Sequence, residues 1–194
     1  MIKKNGLRIV DISFNEINGG SIEVICAKKK SKFLSKEKKI SEVLNDEKQI
    51  NFDSYKRFNK RVNNTKKVIQ LFLKNNKNKI IGYGASTKGN IVLNHCELTD
   101  KNLSYICDAN PYKFNRYTPG TNIKIISKKM MRKIKPDFLF VLIWSFRKEV
   151  IKQEINYIKK GGKLIFHLPI FHIIDKKNYK KYLTEDFKTY SYNY

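Results

Sequence analysis

Residues 137–144 read DFLFVLIW. Seven consecutive apolar residues (138–144) are far too few to span a bilayer, which takes about 20. They also lack the polar alternation of a strand with one wet face. A run of this kind is buried on both sides, and strands buried on both sides belong to sheets covered by helices above and below. The surrounding segments agree. KIIGYGA (79–85) reads as strand and turn, KGNIVLNHCEL (88–98) as a helix and LSYICD (103–108) as a strand. NIKII (122–126) reads as a short strand with a short helix at 127–134 behind it. RKEVIKQEINYIKKGG (147–162) is one amphipathic helix with a glycine stop, and KLIFHLP (163–169) is the strand that closes the sheet. This alternation predicts an α/β fold: a Rossmann-like, doubly wound, mostly parallel sheet with helices on both faces over 79–174.

The chain before that domain reads differently. LRIVDI (7–12) and SIEVICA (21–27), joined by NEINGG with its Gly19-Gly20 turn, predict a β-hairpin within 1–34. Two strands alone are marginal in water, so a hairpin there raises the question of its sheet. From 35 to 78 charged residues carry apolar positions at helical spacing. Ile40, Val43 and Leu44 mark one helix, and Phe58, Val62, Val68, Ile69, Leu71, Phe72 and Leu73 a longer one. This stretch reads as a helical linker packing on the following domain. The tail, 175–194, is rich in Lys, Tyr and Asn and is expected to pack loosely.

In a doubly wound sheet, ligands bind beyond the carboxyl ends of the strands. Three segments are expected there. In GYGASTKGN, Gly82 and Gly84 permit close backbone approach. Ser86 and Thr87 cap the helix that follows, and its N-terminus, with Lys88, attracts anions. Ala85, Gly89 and Asn90 complete that turn. The pattern G-x-G-x-x-x-K-G is neither a dinucleotide fingerprint, since position 87 is Thr, nor a Walker A loop. A plain strand-to-helix turn is the alternative. Asp108 ends the next strand 24 residues after Gly84, where a Rossmann acid meets a ribose hydroxyl. It opens a loop with Asn110, Lys113, Pro119, Gly120 and Thr121, which also reads as simple turn chemistry. Trp144, at the end of the long apolar strand, either stacks on a base or sugar or closes the core.

Composition narrows the chemistry. Three cysteines (Cys26, Cys96, Cys107) without C-x-x-C spacing argue against disulfides and against zinc, and the three histidines make no ligand pattern. No metal site is expected. The net charge of +24 invites a nucleic-acid reading. Against it stand 35 Lys to only 6 Arg, spread along the chain, with 20 Asn. That profile fits AT-rich codon usage better than phosphate or base readout, which favours arginine. No signal peptide or membrane span is read, so a cytoplasmic protein is expected.

In order, four blocks resemble the C-terminal domain of SAM-dependent sugar C-methyltransferases. GLRIVDISFNEINGGSIEVICAKK is similar to the family's segment ending in His-Gly-Gly-Ser-x-Arg. IIGYGASTKGNIVLNHCEL resembles its G-Y-G-A-x-x-K-G-N turn and helix. ICDANPYKFNRYTPGTNIKI resembles its D-x-x-P-x-K-x-x-R-Y-x-P-G-T loop. PDFLFVLIWSFRKEVIKQE with GGKLIFHLP resembles its last strand, helix and strand. The resemblance covers residues 6–170. It implies a nucleotide-linked deoxysugar as the substrate, held by the residues named above. It also implies that the hairpin is the end of a SAM-binding domain, whose other parts, with the zinc-binding domain and the proposed base, would lie upstream. S-adenosylmethionine is thus implied for a full family enzyme, with no cofactor expected on this chain alone. A separately encoded SAM-binding half is a possible partner, and the hairpin offers a route to oligomers. Asn18 and Glu23 depart from the family's His and Arg. Catalytic residues stay unassigned. The other readings are a non-catalytic nucleotide- or sugar-nucleotide-binding module and an NAD-type oxidoreductase, the last resting only on Gly82, Gly84 and Asp108.

Overall fold

A computed structural model of the chain describes residues 1–185. It contains two compact units, Met1–Arg61 and Val62–Tyr194.

In the first unit, β1 (Leu7–Asn15) and β2 (Ser21–Lys28) form a two-stranded antiparallel sheet with a register shift between Ile9 and Asp11. The connection needs positive φ at Asn18, Gly19 and Gly20, and two glycines make that inexpensive. α1 (Glu37–Lys48) follows and is tied to β1. Asp11 accepts from Lys36 at 2.5 Å and Lys39 at 2.8 Å, and Arg8 reaches Ser35 and the Ser31 and Phe33 carbonyls. α1 buries no residue. α2 (Phe52–Asn75) crosses the division between the units. The apolar stripe read from its sequence is only half used. Ile69 and Leu73 are buried, whereas Phe58 and Leu71 are each 58% exposed.

The second unit is a six-stranded sheet in the order β5-β4-β3-β6-β7-β8. Its strands are β3 (Ile80–Tyr83), β4 (Ile106–Asp108), β5 (Ile125–Ser127), β6 (Phe138–Val141), β7 (Lys163–Phe166) and β8 (His172–Ile174). The first five are parallel and β8 is antiparallel to β7. Between them run α3 (Thr87–His95), α4 (Lys128–Ile134), α5 (Arg147–Gln153) and α6 (Ile155–Lys159). Side chains alternate between two cores, as the two-residue period of a strand requires. Ile80, Phe138, Phe140 and Ile165 join Ile69, Leu73 and Leu93 on one face. Ile81, Leu139, Val141, Leu164 and Phe166 join Met131, Val150, Ile151 and Ile158 on the other. The α/β class and the mostly parallel sheet are as expected.

Three sequence readings need correction. The sheet does not close with KLIFHLP: β7 ends at Phe166, the chain turns at the cis Leu168–Pro169 bond, and β8 forms the edge. The helix over 147–162 is two helices that meet at Glu154, whose side chain turns inward and is only 1% exposed. The tail does not pack loosely as far as it is described. α7 (Tyr179–Thr184) sets Tyr182 against His172, ring centroids 4.9 Å apart. Residues 186–194 of that tail lie outside the described part.

Candidate functional site

The site is built around the exit of β3. Gly84 has φ of +87°, and a Cβ there would sit 2.7 Å from Ile143 Cγ2, so both conformation and space demand glycine. Ser86 caps α3, its Oγ accepting from the Gly89 N–H at 2.9 Å. A Cβ on Gly89 would lie 2.6 Å from Leu142 Cβ, so this glycine lets α3 approach the end of β6. Gly89 thus performs the helix-packing duty of the third fingerprint glycine, at a different spacing.

Asp108 closes the turn from the neighbouring strand. Its Oδ2 accepts from the Ala85 N–H at 2.8 Å and from Lys113 Nζ at 3.3 Å, and its Oδ1 accepts from the Asn110 N–H at 2.8 Å. Lys113 Nζ also donates to the Ala85 carbonyl at 2.9 Å. Both carboxylate oxygens are therefore engaged in joining the β3 turn to the β4 loop. Asn110 caps the short 3-10 turn Pro111–Lys113 through the Tyr112 N–H. Farther along, Thr118 and Thr121 are buried with hydroxyls 2.6 Å apart, and Asn94 of α3 donates to the Pro119 carbonyl at 3.1 Å beside Gly120. Asn94 thus ties the Pro119–Gly120 turn of the loop to α3.

Between turn and loop lies a cleft of about 330 Å³. Of the residues expected there, Ala85, Ser86, Asn90, Lys113 and Pro119 line it. Gly82, Gly84, Gly89, Asp108, Asn110, Gly120 and Thr121 are not among its lining residues. Lys88 is exposed in the first turn of α3 and does not line the cleft, and Trp144 packs against the core on the opposite face. The floor comes from Leu93, Ile125 and Leu142, and the rim from Thr87, Arg116, Tyr117 and Thr118. Sequence reasoning passed over Arg116 and Tyr117, although they stand in the quoted RYTPGT stretch. Arg116 donates from Nε to the Tyr112 carbonyl at 3.0 Å, which leaves its two Nη groups without a partner among the described residues. No carboxylate lines the cleft.

The opposite face carries a second polar group. The Glu154 carboxylate accepts from Tyr83 Oη at 2.9 Å and pairs with Arg132 and, at 3.8 Å, with Lys128. Burial, with Glu154 beside it, pushes the Tyr83 phenol well above its usual range. Burial likewise lifts Cys107 to about 12 and Cys96 to about 11, so neither is a thiolate near neutrality. His167 is held down to about 4 by desolvation, against a smaller pull from the Val141 backbone. A wider cleft of about 600 Å³, lined by Arg132, Lys135, Asp137 and Tyr157, opens at the amino ends of β6 and β7. Doubly wound sheets bind at the carboxyl ends, which favours the smaller cleft. Among the described residues no group of three or more potential ligands is placed to hold a metal. No described helix is long and apolar enough to cross a membrane.

Residues 16–169 match the family described as the C-methyltransferase C-terminal domain. The chain belongs to that family. It is also similar to the C-methyltransferase NovU of Streptomyces niveus, at 26% identity over 184 residues. That alignment covers 92% of this chain and 44% of the relative, so the chain spans less than half of the relative's length. Within the C-methyltransferase C-terminal domain match fall the glycine turn, the Asp108 loop and the cleft they enclose.

Proposed function

We propose that this chain is the substrate-side part of a SAM-dependent C-methyltransferase acting on a nucleotide-linked deoxysugar in the cytoplasm. The observation that carries the reading is the coincidence of the family match with the cleft at the carboxyl ends of β3 and β4. Its apolar floor suits a base or a deoxygenated sugar face, and its rim of Lys113, Arg116, Ser86 and Thr87 suits hydroxyls and phosphate.

The methyl donor belongs elsewhere in this reading. S-adenosylmethionine carries a sulfonium cation, and the cleft residues do not fit it. Lys113 and Arg116 would repel that charge, and Asp108, the carboxylate nearest the turn, has both oxygens engaged. The chain alone is then inactive, and a SAM-binding part brings the methyl group to the sugar carbon while a base removes the proton. In this chain's own share of the work, the Asp108 clamp and the Ser86 cap hold the cleft rigid and the rim orients the substrate.

The hairpin is where a partner half or a second copy would add strands. The departures at Asn18 and Glu23 favour a second reading, a non-catalytic nucleotide-sugar-binding module. Glu23 there accepts from Ser13 Oγ at 2.8 Å and serves the hairpin itself.

The full chain is to be titrated with a panel of nucleotide-sugars, and methyl transfer assayed with and without a SAM-binding methyltransferase half. Binding with transfer only in the mixture supports the methyltransferase reading. Binding with no transfer supports the module. Micromolar SAM binding by the chain alone, or no nucleotide-sugar bound at millimolar ligand, overturns the first.

A further inference from the structure

The cleft is asymmetric in charge. Two cations, Lys113 and Arg116, stand on its β4-loop side, and its floor is hydrocarbon. They are not equivalent. Lys113 already serves Asp108 and the Ala85 carbonyl, so its charge is largely spent within the protein. Among the described residues Arg116, an exposed side chain, makes one hydrogen bond, from Nε to the Tyr112 carbonyl, which orients one edge of the guanidinium while both Nη groups keep their donors. A planar fork fixed at one edge is the arrangement that takes two oxygens of one phosphoryl group. Across the cleft, the Thr87 N–H in the first turn of the nine-residue helix α3 makes no hydrogen bond among the described residues, and the neighbouring Ala85, Ser86, Gly89 and Asn90 amides are bonded internally. The anion-attracting end of α3 and the Arg116 fork therefore border the same space.

We infer that Arg116 is the anchor for the diphosphate of the bound nucleotide, with the Thr87 amide as second donor and Lys113 as fixed background charge. This rests on the substrate reading above and moves the anion contact from Lys88, which is outside the cleft lining, to the RYTPGT loop. It also assigns Asp108 as a positioning residue. With its oxygens on Ala85, Asn110 and Lys113 and its side chain outside the cleft lining, it holds the β3 turn to the β4 loop.

The test is calorimetric titration of the full chain with uridine, UMP and UDP, and with thymidine, TMP and TDP. Wild type is expected to bind the diphosphates roughly ten- to a hundredfold more tightly than the nucleosides, the size of one charge-assisted contact. Arg116→Ala should bring the diphosphates down to nucleoside affinity and leave the nucleosides unchanged. Arg116→Lys should recover only part, and Lys88→Ala should change affinity less than about threefold, as expected for a solvent-screened charge. Diphosphate affinity that survives Arg116→Ala but falls with Lys88→Ala overturns the assignment while leaving the substrate reading standing. Equal loss of nucleoside and diphosphate in Arg116→Ala also overturns it, since the residue would then be shaping the cleft. Absence of binding by every compound, and by the nucleotide-sugars, removes the substrate reading and this inference with it.

Discussion

Strand β2 carries Ile22, Val24, Ile25 and Cys26, and strand β6 carries Phe138, Leu139, Phe140 and Val141. In β2, Ile22 is 58% exposed and Ile25 50%, whereas every residue of β6 is 5% exposed or less. Their residue types are alike and their neighbours are not. β6 has β3 on one edge, β7 on the other and helices across both faces, so each side chain meets one of two cores. β2 has β1 on one edge and, among the described residues, no other strand in its sheet. An apolar strand is a demand for cover. In the second unit the chain supplies that cover itself. In the first, the cover that the hairpin's apolar side chains ask for is what the proposed partner half would bring, and an uncovered edge is also a template for self-association.

The sharpest way to break this comparison is truncation. Phe140→Ala should destabilise the second unit by about 3–5 kcal/mol, since it removes a fully buried ring and leaves a cavity. Ile22→Ala in the hairpin should change stability by less than about 0.5 kcal/mol. Chemical denaturation of the two variants measures both. A cost for Ile22→Ala near that of Phe140→Ala would mean that the hairpin is already covered in solution.

Acid should separate the units next. His167 is neutral in the fold, with its pKa lowered from the ordinary 6.5 to about 4 by burial, and His172 is lowered in the same direction by its own burial. Below pH 6.5 the unfolded chain takes up protons that the folded sheet refuses. Stability is complete above 6.5 and is lost as pH falls toward 4, by about 3 kcal/mol for His167. The hairpin follows a different rule. Asp11 is held below its ordinary 3.8, first by the Lys36 hydrogen bond and then by that of Lys39. Its contribution persists until the pH falls below about 3.8. Melting curves from pH 8 to 4 should therefore show the decline in wild type and a flatter limb in His167→Phe. An unchanged slope in that variant would remove His167 as the cause.

The smallest expected difference is kinetic. Amides of β1 and β2 should exchange with solvent faster than those of β3 and β6, because a two-stranded ladder opens without disturbing a core. Hydrogen exchange on a monomeric sample reads this directly. Protection of β2 equal to that of β6 would show that the hairpin opens only with the whole molecule, and slowing on addition of a partner half would identify the missing cover.

Much of the second unit could be read from residue order alone. The unbroken apolar run at 138–144 and the apolar LIF of β7 are what a doubly covered strand must contain, and with the strand–helix alternation they point to the parallel sheet from residue order alone. The glycine turn was equally legible, because Gly84 meets a local demand, a positive φ. What residue order could not supply were the long-range pairings. Residue order puts Asp108 at a strand end but does not show that its oxygens accept from Ala85, Asn110 and Lys113, groups that the sheet brings beside it. Glu154 sits on a helical period that predicts one helix, yet its carboxylate is drawn inward to Tyr83, Arg132 and Lys128 and two helices result. Arg116 lies in an ordinary-looking loop, and only the docking of that loop on α3 puts it at the cleft. Local conformational demands and periodicity are written in neighbouring residues. The partner of a charge is chosen by which strands lie side by side, and that was decided by the tertiary fold.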